Sequence, residues 1–338
     1  MTTSFLPRWR RGSTLLAVGL LAGAVIMSTA APAAADPSPA PSPAGGTTVG
    51  TGGSAGPGAA ATAGAVTWSV QPSTADGPDR RSSFTYTNLK PGTIVHDYVG
   101  VTNYSKMPVT FQVYASDAFN TTTGSLDLLP ASQKPSDVGS WVSLLKETVT
   151  IEPGARVNEP FTLTVPDNAA PGDHTGGLIA SISTVGGGVA GSVNVDRRLA
   201  VPVYLRVTGA LHPAVAVESL STSYHGILNP FGGGGTDVSY TIHNTGNSRL
   251  DVSQAVTVTG VFGLRLKSAH PAAVTDLLPG ATYRVTEHLS GVFPVGPMTA
   301  HVDVAPSGPA GLPQADPAPA PASNEGGLWA TPWPHPGQ

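Results

Sequence analysis

Residues 165–182, VPDNAAPGDHTGGLIASI, bring Asp167, Asp173 and His174 within eight positions of one another beside Gly176-Gly177, in a chain with nine histidines. Carboxylates and an imidazole at this spacing could serve as a general acid–base pair or as part of a metal shell. The competing reading is a turn that launches a buried strand. Pro171-Gly172 suits a tight reversal, Asp173 can bond the backbone beyond it, and the glycines let a neighbouring strand approach. The equivalent place later in the chain, PVGPMTAHVDV, keeps a Gly-Pro turn without an Asp-His pair. The turn is therefore the shared element, and the structural reading is preferred.

A metal site would need a third and fourth ligand that local spacing does not supply. No HExxH helix, GxSxG elbow or SxxK motif occurs, and the run Gly232–Gly235 lacks the Lys-Ser/Thr of a phosphate loop. The expectation is no catalytic residue, no metal and no cofactor. A hydrolase with a dispersed site, tested at His174, stands as a remote alternative.

Binding chemistry is better represented. Trp68, Tyr98, Tyr104, Tyr114 and Trp141 all lie in the first half. Aromatic rings stack on sugar rings, and a polar rim of Asn, Asp and Thr can then hold hydroxyls. Tyr104, Tyr114, Asn120 and Trp141 are the glycan-binding candidates. Tyr104 and Tyr114 lie at or on faces that the pattern marks as exposed, and Asn120 and Trp141 belong to a long insertion, residues 117–141, of the kind that is functional or mobile in a compact domain. Against this, Trp68 and Trp141 could simply pack under a sheet edge.

Strands must position these groups. Val109, Phe111, Val113 and Ala115 alternate with polar residues, as do Phe161, Leu163 and Val165, then Leu199 through Val207 at every second position, then Val238, Tyr240 and Ile242. Such a two-residue period marks half-buried strands. Each half also contains a strand ending in Asn (Asn103, Asn244), an apolar-Pro-Gly turn (Pro153-Gly154, Pro279-Gly280) and a second Pro/Gly turn (Pro171-Gly172, Gly296-Pro297). Two copies of one topology produce this pattern. The fold class expected is all-β, two tandem immunoglobulin-like β-sandwiches over 66–208 and 209–305.

The flanks differ in kind. Residues 1–35 run from a basic start (Arg8, Arg10, Arg11) through an apolar stretch to small residues at Ala33 and Ala35, the plan of a signal peptide. Removing them takes three arginines and no acid from a formal charge of −4, leaving −7, a balance unsuited to nucleic acid. Residues 36–65 and 306–338 are Pro/Ala/Gly-rich and read as a disordered linker and tail. Cysteine is absent, so no disulfide frame holds this exported chain and its cores must be large. No mature segment is long and apolar enough to span a bilayer.

The first half resembles the peptidoglycan-binding domain of the WxL-interacting cell-surface proteins. The residues that carry the resemblance, over about 66–208, include WSVQPSTADGPDRRSSFTYTNLKPGTIVHDYVGVTNYSKMPVTFQVYASDA, GSWVSL, VTIEPGARVNEPFTLTVPDNAAPGDHTGGLIAS and RLAVPVYLRV, in that order. The resemblance implies an immunoglobulin-like sandwich bound to the wall and a second one that contacts a partner, a WxL-type surface protein or a host protein. Members usually end in a transmembrane helix, which has no counterpart after LWATPWPHPGQ. The expectation is a non-catalytic exported protein of the cell wall, cell surface or medium that binds peptidoglycan through its first domain. The alternative from a different class is an assembly or secretion chaperone that offers strand edges to a client.

Overall fold

The computed structural model describes residues 66–188, 191–229, 232–309 and 317–331. The expected signal peptide and linker lie outside the described residues. Eleven strands and one short helix make the first sandwich: β1 (Trp68–Thr74), β2 (Gly77–Pro78), β3 (Phe84–Leu89), β4 (Ile94–Asn103), β5 (Val109–Asn120), β6 (Leu126–Leu128), α1 (Val138–Trp141), β7 (Val142–Leu144), β8 (Thr148–Ile151), β9 (Arg156–Thr164), β10 (Gly172–Gly188) and β11 (Gly191–Val207). One sheet runs β2-β1-β4-β9-β7, and the other runs β3-β11-β10-β5-β6 with β8 also on β5.

The second sandwich follows a linker at 208–214. It contains β12 (Val215–His225), β13 (Gly234–Asn244), β14 (Leu250–Thr259), β15 (Arg265–Ala269), β16 (Val274–Leu277), β17 (Thr282–Val292), β18 (Gly296–Ser307) and β19 (Ala322–Ala330). Its sheets are β12-β13-β17 and β15-β14-β18-β19, with β16 beside β14.

The alternation seen in the sequence decides which side chains meet. On β5, Val109, Phe111 and Val113 are buried while Thr110 and Gln112 are exposed. On β13, Val238, Tyr240 and Ile242 are buried, and the Tyr240 hydroxyl donates to Gln254 Oε1 at 2.6 Å, so the ring is buried without an orphaned polar atom. Phe84 meets Phe161 edge-on at 5.1 Å, and Trp68 packs on Phe111 at 5.7 Å. Trp68 is thus a core residue of the first sandwich, and a separate apolar cluster fills the second.

The repeat is physical. Glu152-Pro153-Gly154-Ala155 and Leu278-Pro279-Gly280-Ala281 each close with the Ala N–H donating to the first carbonyl at 3.0 Å. Gly154 and Gly280 adopt φ 71° and 72°, the left-handed position that a Pro-Gly type II turn demands. Each turn is then seized by the Asn that ends the neighbouring strand. Gly154 N–H donates to Asn103 O at 2.8 Å, and Gly280 N–H donates to Asn244 O at 2.9 Å. The two Asn side chains are fully buried. Asn103 Nδ2 donates to Met107 O and Ile151 O, both at 2.9 Å, and Asn244 Nδ2 donates to Ser248 O and Leu277 O at 2.8 and 2.9 Å.

Two segments differ from the sequence expectation. The insertion at 117–141 is built around Asp117, whose carboxylate accepts the N–H groups of Ser136, Asp137 and Gly139 at 2.6, 2.9 and 2.7 Å. A Cβ at Gly176 would come 2.6 Å from Ser116 O and 2.8 Å from Val138 Cβ, so the glycine admits this packed insertion. The expected C-terminal tail contains a strand, since β19 pairs with β18 from Gly296↔Ala330 to Val304↔Ala322. Pairing with an open sheet edge gives order to a stretch whose composition alone gives none.

Candidate functional site: the joint and the free edge of β11

Asp167, Asp173 and His174 part company. Asp167 lies against Gly92. Asp173, almost fully buried, pairs across the β10–β11 ladder with Arg206. The contact is bidentate, with Arg206 Nε 2.6 Å from Oδ1 and Nη2 2.8 Å from Oδ2. The Asp173 carboxylate holds Arg206 above the ordinary guanidinium range, outweighing the opposing effect of burial. Asp173 also accepts the backbone N–H of Arg249, from the second sandwich, at 2.8 Å. Its remaining acceptor capacity is thereby used on the neighbouring domain.

More groups complete this joint. Arg249 places its guanidinium 3.9 Å from the Tyr204 ring centroid and donates to Asp276 Oδ1 at 2.8 Å. Asp173 N–H donates to Asn247 O at 2.8 Å, and Asn247 Nδ2 donates to Pro171 O and Ala210 O at 3.0 and 2.9 Å. Gly172, at φ 128°, packs directly on the Asn247 carbonyl with no room for a Cβ. Asn120 belongs here as well. Its Nδ2 donates to Asp276 O at 3.0 Å and its Oδ1 accepts from Leu278 N–H at 2.9 Å. It fastens the first sandwich to the second.

His174 turns the other way. Nδ1 is 2.8 Å from Asp137 Oδ1 and Nε2 is 2.9 Å from Ala170 O. Both partners are acceptors, so both ring nitrogens act as donors and the imidazolium is the satisfied form. Burial works against that charge, while Asp137, the Ala170 carbonyl and Asp173 more than offset it, and the pKa lies above the ordinary 6.5. In that doubly donating form the ring has no lone pair with which to act as a general base. Among the described residues no cluster of His, Asp and Glu is arranged for a metal ion.

The remaining glycan candidates do not converge. Trp141 is half-buried, 4.8 Å from the His174 ring, and lines a groove of about 630 Å³ with Asp137, Ser140, Asn168 and His174. Tyr114 is half-buried on β5, and burial raises its hydroxyl pKa, with Arg198 opposing the shift. Tyr104 is exposed in the turn after β4. That turn sits beside Thr67, Ser69 and Ser105 at the Val109 end of β5, whereas Asn120 ends the same strand at the joint. No sugar platform is assembled from the four. Sequence reasoning missed Arg206, Arg249, Tyr204 and Asp276. The only trace was a charge at a strand position flanked by apolar residues, as in YLRV and SRLDV.

The second feature is an edge. β10 and β11 form one hairpin of seventeen paired positions, Gly172↔Val207 to Gly188↔Gly191. β5 covers β10 only from Gly176 to Ser181, and β3 covers β11 only from Val203 to Val207. Among the described residues, no strand pairs with the outer side of β11 before Val203. Leu199 is 42% exposed there. Arg197 flanks it, donating to Val66 O at 3.0 Å and lying 5.0 Å from the Trp68 ring centroid.

No protein-family model and no curated protein matches the chain. Among solved structures, the fold is similar to the class 5 fimbriae chaperone CfaA, at 10% identity over 79% of this chain and 100% of that one, with a TM-score of 0.35. A chaperone–tip adhesin complex of CFA/I fimbriae biogenesis gives 11%, the same coverage and 0.35. The CsuC–CsuE chaperone–tip adhesion subunit complex of Acinetobacter baumannii gives 11%, 65% and 89% coverage and 0.31. These findings overturn the WxL-interacting assignment and, with it, peptidoglycan and a WxL-type partner. The physical reason lies in the repeat. The stretch that carried the resemblance contains the Asn103 and Pro153-Gly154 corner, which recurs at Asn244 and Pro279-Gly280 in the second sandwich and so marks a sandwich corner and not that family. At such scores the likeness concerns the sandwich architecture and is no ground for a function.

Proposed function

We propose that the chain is a non-catalytic, exported assembly chaperone that holds a client protein at the outer edge of β11. The observation that carries this reading is the unpaired side of β11 ahead of Val203, in a hairpin that outruns the strands on both of its flanks. A bare ladder of N–H and C=O groups is a template for an added strand. Leu199, partly exposed, and Val201, buried, supply apolar side chains on the face that also carries the core. The buried joint at Asp173 fixes this hairpin to the second sandwich, so the edge is presented on a stiff base. A wall or surface location is not needed for that role.

The test places a photo-crosslinking residue at position 199 in the producing cell. One dominant client should be trapped, and Leu199→Glu, which sets a charge on the edge while leaving the core intact, should release it without lowering the melting temperature. Trapping of many unrelated proteins in similar amounts, or of one client indifferent to Leu199→Glu, would sink the proposal.

A further inference from the structure

On the outer face of the sheet β2-β1-β4-β9-β7 one cation lacks a counterion. Strand alternation turns Asp97 and Glu159 to the side of Val99 and Phe161. Arg156 is left as the only Asp, Glu, Lys or Arg facing outward from β1, β4 and β9. Its half-buried side chain crosses from β9 over Gly100 to β1. Nε donates to Asn158 Oδ1 at 2.8 Å, Nη1 to Thr102 Oγ1 at 3.1 Å and Nη2 to Ser73 Oγ at 3.1 Å. A Cβ at Gly100 would collide with the guanidinium, so this glycine is the seat on which the group lies.

All three acceptors are neutral. Carboxylates push the Arg81 and Arg206 guanidinium groups above their ordinary range, whereas burial pushes Arg156 below it, with Tyr104 and Asp79 opposing. Asp79 is itself bound to Arg81 at 2.6 Å. A charge partly withdrawn from water without an ion partner is the condition that an anion relieves. Of the five guanidinium N–H groups three are engaged, which leaves one on each terminal nitrogen. On a pinned, planar fork these can meet the two oxygens of a carboxylate, and little rotamer freedom remains to be lost. The single positive charge selects the class: a carboxylate carries one negative charge, while a phosphate near neutral pH carries up to two and would call for a second cation that this face does not present. Tyr104, 61% exposed, borders the fork through Ser69, whose Oγ lies 3.4 Å from its hydroxyl.

We infer that Arg156, seated on Gly100, is a carboxylate-binding site on the outer face of the first sandwich. The carboxylate comes from a small organic acid or from an acidic side chain of a partner protein. The site belongs to the sheet opposite β11 and is independent of the client edge.

The experiment follows the Arg156 Nε–H and Gly100 amide resonances of the mature chain by NMR during titration with sodium acetate at constant ionic strength. The Arg156 signal is identified as the one missing from both Arg156→Gln and Arg156→Lys. Both resonances should shift and saturate, half-maximally between about 1 and 50 mM. The Gly100 shift should vanish in Arg156→Gln and fall to less than about half in Arg156→Lys, which keeps the charge without the fork. Acetyl-Gly-Glu-Gly-amide separates the two sources: half-saturation at least about tenfold below that of acetate assigns the site to a partner's side chain, and otherwise to a small acid. A shift that never saturates, a Gly100 shift unchanged in Arg156→Gln, or inorganic phosphate half-saturating below acetate would overturn the inference.

Discussion

The two sandwiches share a pattern of hydrogen bonds at their corners and differ at their ends. Asn103 with Pro153-Gly154 and Asn244 with Pro279-Gly280 solve one backbone problem with matching hydrogen bonds. The joint end of the first sandwich is charged, buried and fully paired through Asp173, Arg206 and Arg249, while the loops of the second leave Phe262, Leu264 and Phe293 exposed. Where the copies agree, folding dictates the residues. Where they diverge, as at the joint, the residues answer to what that end touches.

Breaking the joint should give the largest effect. Asp173→Ala leaves Arg206 without its carboxylate and the Arg249 N–H without an acceptor, a loss of about 3–5 kcal/mol for a buried pair deprived of one partner. Denaturant unfolding should show the drop, and a single transition should split in two as the sandwiches lose their tie. A loss below about 1 kcal/mol would mean the joint is solvated.

The corners come next. Asn103→Ala and Asn244→Ala each strand two carbonyls and an N–H in the interior, which should cost about 2–3 kcal/mol. The two values should agree within about 1 kcal/mol, and a larger gap in unfolding free energy would break the equivalence. Gly154→Ala and Gly280→Ala sharpen it further. An added Cβ would meet nothing within 4 Å at either position, so only the left-handed backbone resists, at about 1–2 kcal/mol. Equal shifts in melting temperature are expected.

Much of this was legible in the sequence. Alternation at Val109–Phe111–Val113 and Val238–Tyr240–Ile242 marked the sheets, and Pro-Gly after an Asn-ended strand marked the corners, because both signals are local. The joint was not legible. Arg206 and Arg249 find their partners across a domain boundary, and a charge in a strand reads the same whether it is solvated or paired. The strand β19 was hidden by Gly326-Gly327 in a Pro/Ala-rich context, although a Cβ at Gly326 would approach Leu220 at 3.2 Å, so the glycine serves close packing against β12. The glycan candidates, three aromatic residues and Asn120, were chosen by residue type and share no place.

The smallest effect is the pH dependence of the latch between the insertion and the Pro-Gly turn. His174 has a folded pKa above its unfolded value, so its bond to Asp137 contributes fully below the unfolded pKa and is lost as pH rises through the folded one. The Asp137 side chain is 38% exposed, and solvent screening holds the gain to under about 1 kcal/mol. Unfolding free energies of the wild type and of Asp137→Asn should therefore differ at about pH 5 and converge at about pH 9. The joint, whose Arg206 stays charged throughout that range, should show no such convergence in Asp173→Ala. A gap for Asp137→Asn that widened with pH would mean the neutral imidazole is the form the turn prefers, and the two-donor reading of His174 would fail.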